Sequence, residues 1–352
     1  MKNLKIMLAL IVLCPFFSFS QIIIENPEKP ENPSAGRILK LEEMLRITDE
    51  GGEFFFKRPS LLQVADDGSL FLYDADQFLK FTPDGLFIKN LLKKGQGPGE
   101  IQMFSRYIIH NGNIFIYDSG NSKILCMDQE GNVVEEFRFT DRYSLLLGMF
   151  DDNFVFTKMN FPEVEERTGN FIDIPTVIVI LSKDEKVIGE YPCVVDKAYQ
   201  GENFMMSWGR SNTIMSHDGQ SCFTSDSDEY MITELDLNKG EAVRKFNRKY
   251  TRVKTPKREP TPGRPALKIP ERKYVDDITY LYSFKDGVLI WTSTKDENKG
   301  MLFDLFDKEG KYLDCFWVNV NGTVITTHGD FFFVREQDED GNISIVKYRV
   351  LE

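Results

Sequence analysis

Two stretches, 67-DGSLFLYDADQFLKFTPDG-85 and 111-NGNIFIYDSGNSKILCMDQEG-131, follow one plan 44 residues apart. Each opens on a turn pair, Asp67-Gly68 or Asn111-Gly112, and runs through apolar and aromatic residues to an aspartate, Asp74 or Asp118. Each then turns back through a second apolar run into another Gly-closed turn. Turn pairs of this kind join antiparallel strands tightly, because glycine accepts the positive φ that such turns demand. The period-two patterning reads as half-buried strands. A unit of this sort recurring every roughly 40–50 residues has the spacing of a propeller blade.

Four weaker copies follow. Asp152-Asn153 leads into Phe154-Val155-Phe156 and later 177–181; Asp218-Gly219 leads into Cys222-Phe223 and later 230–235. Asp286-Gly287 leads into 288–291 and 301–306, and His328-Gly329 into 331–334 and 343–350. Six copies predict an all-β, six-bladed β-propeller. The last copy reaches Glu352 after three strands, one short of a full blade, and the alternating segment 37–47 is a spare strand ahead of the first copy. An N-terminal strand completing the last blade closes the ring and removes an open sheet edge. The expected organisation is a signal peptide at 1–20, a Pro-rich linker at 21–36 that reads as an extended tether, and the propeller at 37–352.

Export is read from the first twenty residues. Lys2 and Lys5 precede an apolar run from Ile6 to Phe17, and Ser18-Phe19-Ser20 places small residues where a signal peptidase reads, so cleavage falls before Gln21. Cys14 follows Leu13 inside the apolar core, where a lipid-anchor signal needs a small residue. No later stretch approaches the length of a membrane helix. The expected location is the periplasm or the cell surface. A net charge of −12, from 55 acidic and 43 basic residues, argues against nucleic acid as a partner. Cys126, Cys193, Cys222 and Cys315 stand singly in apolar contexts without metal-ligand spacing, which reads as buried free thiols.

The repeat resembles NHL-type six-bladed propellers. The segment Lys94-Gly95-Gln96-Gly97-Pro98-Gly99-Glu100 resembles the G-x-G-P-G-E loop of a large group of exported bacterial six-bladed propellers of uncharacterised function. The resemblance spans essentially the whole chain after the signal, is clearest over 59–139, and brings an expected fold but no activity, since propellers host many.

Strand order assigns each loop a face. With the first strand innermost, turns between strands two and three share one face with the blade-to-blade links; the remaining turns share the other. The long insertions 160–170, 196–212 and 247–273, and the 95–100 loop, all fall on the first face, which is read as a binding face or as a site of tolerated insertions. Its candidate residues are Gln96, Glu100, Arg106, Tyr107, Asp74, Asp118, Trp208, Arg258 and Arg264. Asp74 and Asp118, like Asp76, Asp226 and Asp228, also fit a role as turn stabilisers. The 196–212 insertion brings Tyr199, Phe204, Met205, Met206 and Trp208, a ligand wall or a channel plug. The basic, Pro-rich stretch 247–273 is either a docking strap for an acidic partner or a cover for the protein's own acidic turns.

His110, His217 and His328 sit at turns of blades two, four and six, on the opposite face, and define a weak alternative metal site. No cofactor is expected. The chain has no G-x-S-x-G elbow, phosphate loop or H-E-x-x-H motif. These observations favour a non-catalytic recognition module for a glycan, peptide or protein; the alternative is a hydrolase or lyase working at the channel mouth.

Overall fold

The computed structural model describes residues 22–49, 51–162, 169–201, 204–226, 228–257, 269–284 and 287–351. The described residues form six sheets, antiparallel apart from one added edge strand in each of two of them, and no helix. Blade 1 runs Pro59–Val64, Leu70–Asp74, Gln77–Phe81, Phe87–Asn90, and blade 2 runs Phe104–His110, Asn113–Asp118, Lys123–Asp128, Val133–Arg138. Blades 3, 4, 5 and 6 begin at Leu145–Phe150, Thr213–Met215, Ile278–Phe284 and Gly322–His328. These first strands touch their neighbours all the way round, last to first, so the ring is closed with each first strand at the axis. The six-bladed propeller expected from the repeats is the fold.

Alternation suggested half-buried strands, yet Leu70, Phe71 and Leu72 are all buried. The reason lies in the ring: each blade is sandwiched between two others. Leu70 and Leu72 pack into the seam with blade 6, while Phe71 packs into the seam with blade 2. Each of the six hydrophobic clusters straddles one seam. Burying one such side chain contributes about 1.5–3 kcal/mol. Tyrosine hydroxyls tie the seams further: Tyr107 donates to the Phe71 carbonyl at 2.6 Å, Tyr117 to the Tyr143 carbonyl at 2.9 Å, and Tyr282 to the Val324 carbonyl at 2.9 Å. The four cysteines at 126, 193, 222 and 315 are free thiols; Cys126 and Cys222 are buried, Cys193 and Cys315 partly so.

The strand Lys40–Ile47 pairs antiparallel with Ile343–Leu351 and completes blade 6, as the spare segment predicted. The stretch read as a tether runs extended but lies along the outer rim. Ile22–Asn26 adds a parallel fifth strand to blade 4 beside Glu241–Arg248, and Arg37–Ile38 does the same in blade 5 beside Tyr312–Val318. Asn26 links those two blades, donating to the Asn247 and Gly310 carbonyls and accepting from the Tyr312 amide, each at 2.9 Å. Residues 22–47 thus form a belt over blades 4, 5 and 6. The expected signal peptide, 1–20, lies outside the described residues.

Candidate functional site

Five of the six innermost strands carry a bulge, at Leu61, Ser105, Leu147, Thr279 and Ile325. A bulge adds twist and re-aims side chains, and Leu61, Leu147 and Ile325 line an axial cavity of about 370 Å³. All six first strands contribute to it. Among the described residues of its lining, Arg106 is the sole Lys, Arg, Asp or Glu; Gln63, Tyr280, Ser283 and Thr327 supply neutral polar groups, and Ser216 and His217 bring it to the short-turn face. The Ser283 hydroxyl is buried with no hydrogen-bond partner.

The sequence candidates separate in space. Tyr107, adjacent to Arg106, points away from the axis and is buried in the seam between blades 1 and 2. Its hydroxyl serves the ring, and burial pushes its pKa far up. Asp74 and Asp118 are fully buried and do the same work in successive blades. Asp74 accepts the amides of Lys57 and Arg58 at 2.8 and 2.5 Å, and Asp118 accepts those of Gln102 and Met103 at 2.9 Å. Each caps the link arriving at its own blade, and Asp118 also accepts the Gly120 amide of its own turn at 3.1 Å. Burial pushes the Asp74 carboxyl above the usual aspartate range, and the Arg58 and Lys57 amides draw it partly back.

The 95–100 loop is built around its own glutamate. Glu100 accepts the Gly97 amide at 2.9 Å, and a Cβ on Gly95, where φ is +156°, would fall 1.9 Å from that carboxylate. Beneath it, fully buried Lys123 donates to Glu136 at 2.9 Å, and Glu136 accepts the Gly99 amide at 2.6 Å. Gln96 is exposed at the loop tip. The loop's glycines therefore serve close packing rather than a phosphate cradle.

In blade 3 the hairpin Phe171–Leu181 and Val187–Gln200 continues past the end of its inner neighbour Asn153–Met159, from Phe171 opposite Tyr199 to Pro175 opposite Val195. Met205–Ser207 folds back on it. The result is an arm on the long-loop face. The Phe171 ring meets Tyr199 and Trp208 at 5.5 and 4.6 Å between centroids, and Phe161, Phe171 and Met205 remain 54%, 46% and 52% exposed. Buried Asp196 fastens the arm's base by accepting the Ser211 hydroxyl at 2.9 Å and its amide at 3.1 Å. Burial pushes the Asp196 carboxyl up, against the pull of those two bonds. Trp208 thus packs against a half-exposed aromatic ring on the arm. Phe171 was not legible as its partner, because strand pairing alone brings it there.

The basic stretch 247–273 is tied down where it is described. Arg248 joins Asp304 at 2.8 Å, Arg252 joins Asp277 at 3.0 Å, and Arg272 pairs with Asp276. Lys254 makes one isolated antiparallel bridge to Tyr274. Covering the protein's own acidic groups is what these residues do; Arg258 and Arg264 lie outside the described residues. The three histidines do not gather as one set, although His217 and His328 lie near enough to interact. His110 keeps to its own turn, 3.1 Å from the Asn111 amide nitrogen, and no three His, Cys, Asp or Glu among the described residues could hold a metal ion. Desolvation, then Lys347 and His217, hold His328 below the usual imidazole range.

Residues 45–191, from the ring-closing strand into the third blade, match the family model DUF5128, described as a 6-bladed beta-propeller. Among solved structures, a protein of Bacteroides fragilis NCTC 9343 inferred to be exported is 15% identical with a TM-score of 0.58, over 94% of this chain and 100% of that one. A member of the DUF4221 family from Bacteroides vulgatus ATCC 8482 is 9% identical with a TM-score of 0.57, over 90% and 99%. A virginiamycin B lyase from Staphylococcus aureus is 11% identical with a TM-score of 0.45, over 89% and 100%. At these identities the likeness is one of fold. No curated protein sequence matches.

Proposed function

We propose that the chain is an exported recognition propeller of the bacterial cell envelope, which holds a glycan, peptide or protein on its long-loop face without transforming it. The blade-3 arm is the observation that carries this reading. Half-exposed Phe171, packed edge-on against Tyr199 and Trp208, leaves apolar surface in water, at a cost that a bound partner removes. Tyrosine and tryptophan are the side chains through which interfaces gain most of their energy. The signal-like first twenty residues support export, as does the exported character inferred for the Bacteroides fragilis relative in fold. A periplasmic or cell-surface location follows from the same reading.

The test sets the protein and a Phe171→Ser/Trp208→Ala variant against arrays of glycans and unstructured peptides, with mass spectrometry of every bound probe. Capture of at least one probe class, weakened tenfold or more in a variant that melts within a few degrees of the parent, is expected. A probe returned cleaved or eliminated instead points to the hydrolase or lyase reading. Capture unchanged in the variant removes the arm from the site.

A further inference from the structure

On the long-loop face, where blade 6 meets blade 1, a cleft of about 530 Å³ opens between residues remote in sequence. Lys57 and Arg58 come from the link into blade 1, Arg335 and Gln337 from the second strand of blade 6, and Thr323 from its first. None of the three cations forms an ion pair with a carboxylate among the described residues. Three carboxylates share the neighbourhood, and all are engaged: Asp76, which acts on Lys57 from a distance, pairs with Lys94, and Asp74 attracts Lys57 and Arg335 through space. Glu336 gives one oxygen to Arg46 at 3.0 Å and the other to the Tyr348 hydroxyl at 2.7 Å. Asp74 is fully buried and takes up the Lys57 and Arg58 backbone amides. The Arg335 guanidinium makes one long contact, 3.4 Å to the Pro59 carbonyl, and the Lys57 ammonium lies over the Phe55 ring at 5.0 Å. Three like charges facing one cleft repel one another, and an anion placed among them turns repulsion into attraction.

We propose that this cleft binds a multiply charged oxyanion, the phosphate or sulfate ester of a larger ligand. Two guanidinium forks suit the paired oxygens of a tetrahedral oxyanion, and a lysine adds a point charge. The Thr323 hydroxyl supplies a neutral donor. The cleft has the size of a small-molecule site, so a carrier such as a sugar ring has room beside the charged group. The site uses no residue of the blade-3 arm, and its fate is separate from the recognition reading above.

The test is calorimetric titration of the protein with inorganic phosphate, sulfate, glucose 6-phosphate, glucose 6-sulfate and acetate at constant ionic strength. Saturable one-to-one binding of at least one multiply charged probe is expected, with none for acetate. An Arg58→Gln/Arg335→Gln variant should lose tenfold or more, and the Phe171→Ser/Trp208→Ala variant nothing. Esters binding more tightly than the free ions identify a carrier that contributes contacts; equal binding identifies the oxyanion alone. Arg335 touches the seam, so exposed Arg58→Gln is measured by itself, with a loss of several-fold expected. Absence of saturation by every multiply charged probe overturns the proposal, as does unweakened binding by the double variant.

Discussion

A single buried carboxylate shows how one residue holds two blades. Asp304, fully buried in blade 5, accepts from Arg248 at 2.8 Å, Tyr230 at 2.6 Å and Tyr312 at 2.7 Å, and the first two belong to blade 4 and its outgoing edge. The guanidinium lies against the rings of Tyr230, Tyr250 and Tyr312, 4.9 to 5.4 Å from their centroids. Removing one partner of a buried pair strands the other charge, a loss of about 3–5 kcal/mol. Arg248→Met should therefore lower the urea midpoint by that equivalent, and Arg248→Met/Asp304→Leu should recover part of it; an unchanged midpoint in the single variant refutes the staple. In the sequence Arg248 is the first cation of a basic stretch, indistinguishable from those that follow. Its partner lies 56 positions away, and only the blade repeat brings them together. Asp74 and Asp118 were legible only as turn residues; the link amides they accept lie 15 to 17 positions upstream, where nothing local points to them.

Among the elements, the blades were legible and the belt was not. A blade strand is sandwiched between seams, so its apolar run and the Gly turn beside it both mark the sequence. The ring-closing strand Lys40–Ile47 showed for the same reason: Ile47 is buried, and its alternation points inward. Ile22–Asn26 lies parallel at the edge of blade 4 with Ile22 and Ile23 exposed, and prolines follow at 27, 30 and 33, so nothing local marks it as a strand. Asn26 carries much of that element's attachment through its three bonds to two blades. Replacing it with alanine removes those bonds and leaves the Tyr312 amide without its acceptor, a loss of about 1–3 kcal/mol. Asn26→Ala should lower the melting temperature measurably and speed hydrogen exchange at the Tyr312 amide; full protection there in the variant counts against the link.

At the scale of the whole molecule, six seams share the stability, and one of them is closed by strands from opposite ends of the chain. Deleting 22–36 should leave the ring intact with reduced stability. Deleting 22–49 removes the outer strand of blade 6 and leaves Ile343–Leu351 as an unpaired edge, open to pairing with another chain. Limited proteolysis and size-exclusion chromatography should then show cleavage within blade 6 and self-association for the longer deletion only. Equal behaviour of the two would mean that the closing strand is dispensable. The candidate sites were the least legible part at this scale. Lys57 and Arg335 share a cleft although 278 positions separate them, and nothing in the sequence pairs them until the ring is closed.

That closure also sets an order of events during synthesis. Residues 40–47 are made among the first and wait for partners made among the last, 298 positions on in the case of Arg46 and Ser344. Joining ends so far apart costs about 5 kcal/mol of chain entropy from the length-dependent part alone. Blades 1 to 5 can assemble from near neighbours while the first strand stays unsatisfied. A nascent chain halted anywhere before residue 343 keeps 40–47 bare, however many blades it has finished. Incomplete products of every length therefore display one common unpaired strand, a single mark by which a chaperone or protease can tell them from the finished ring.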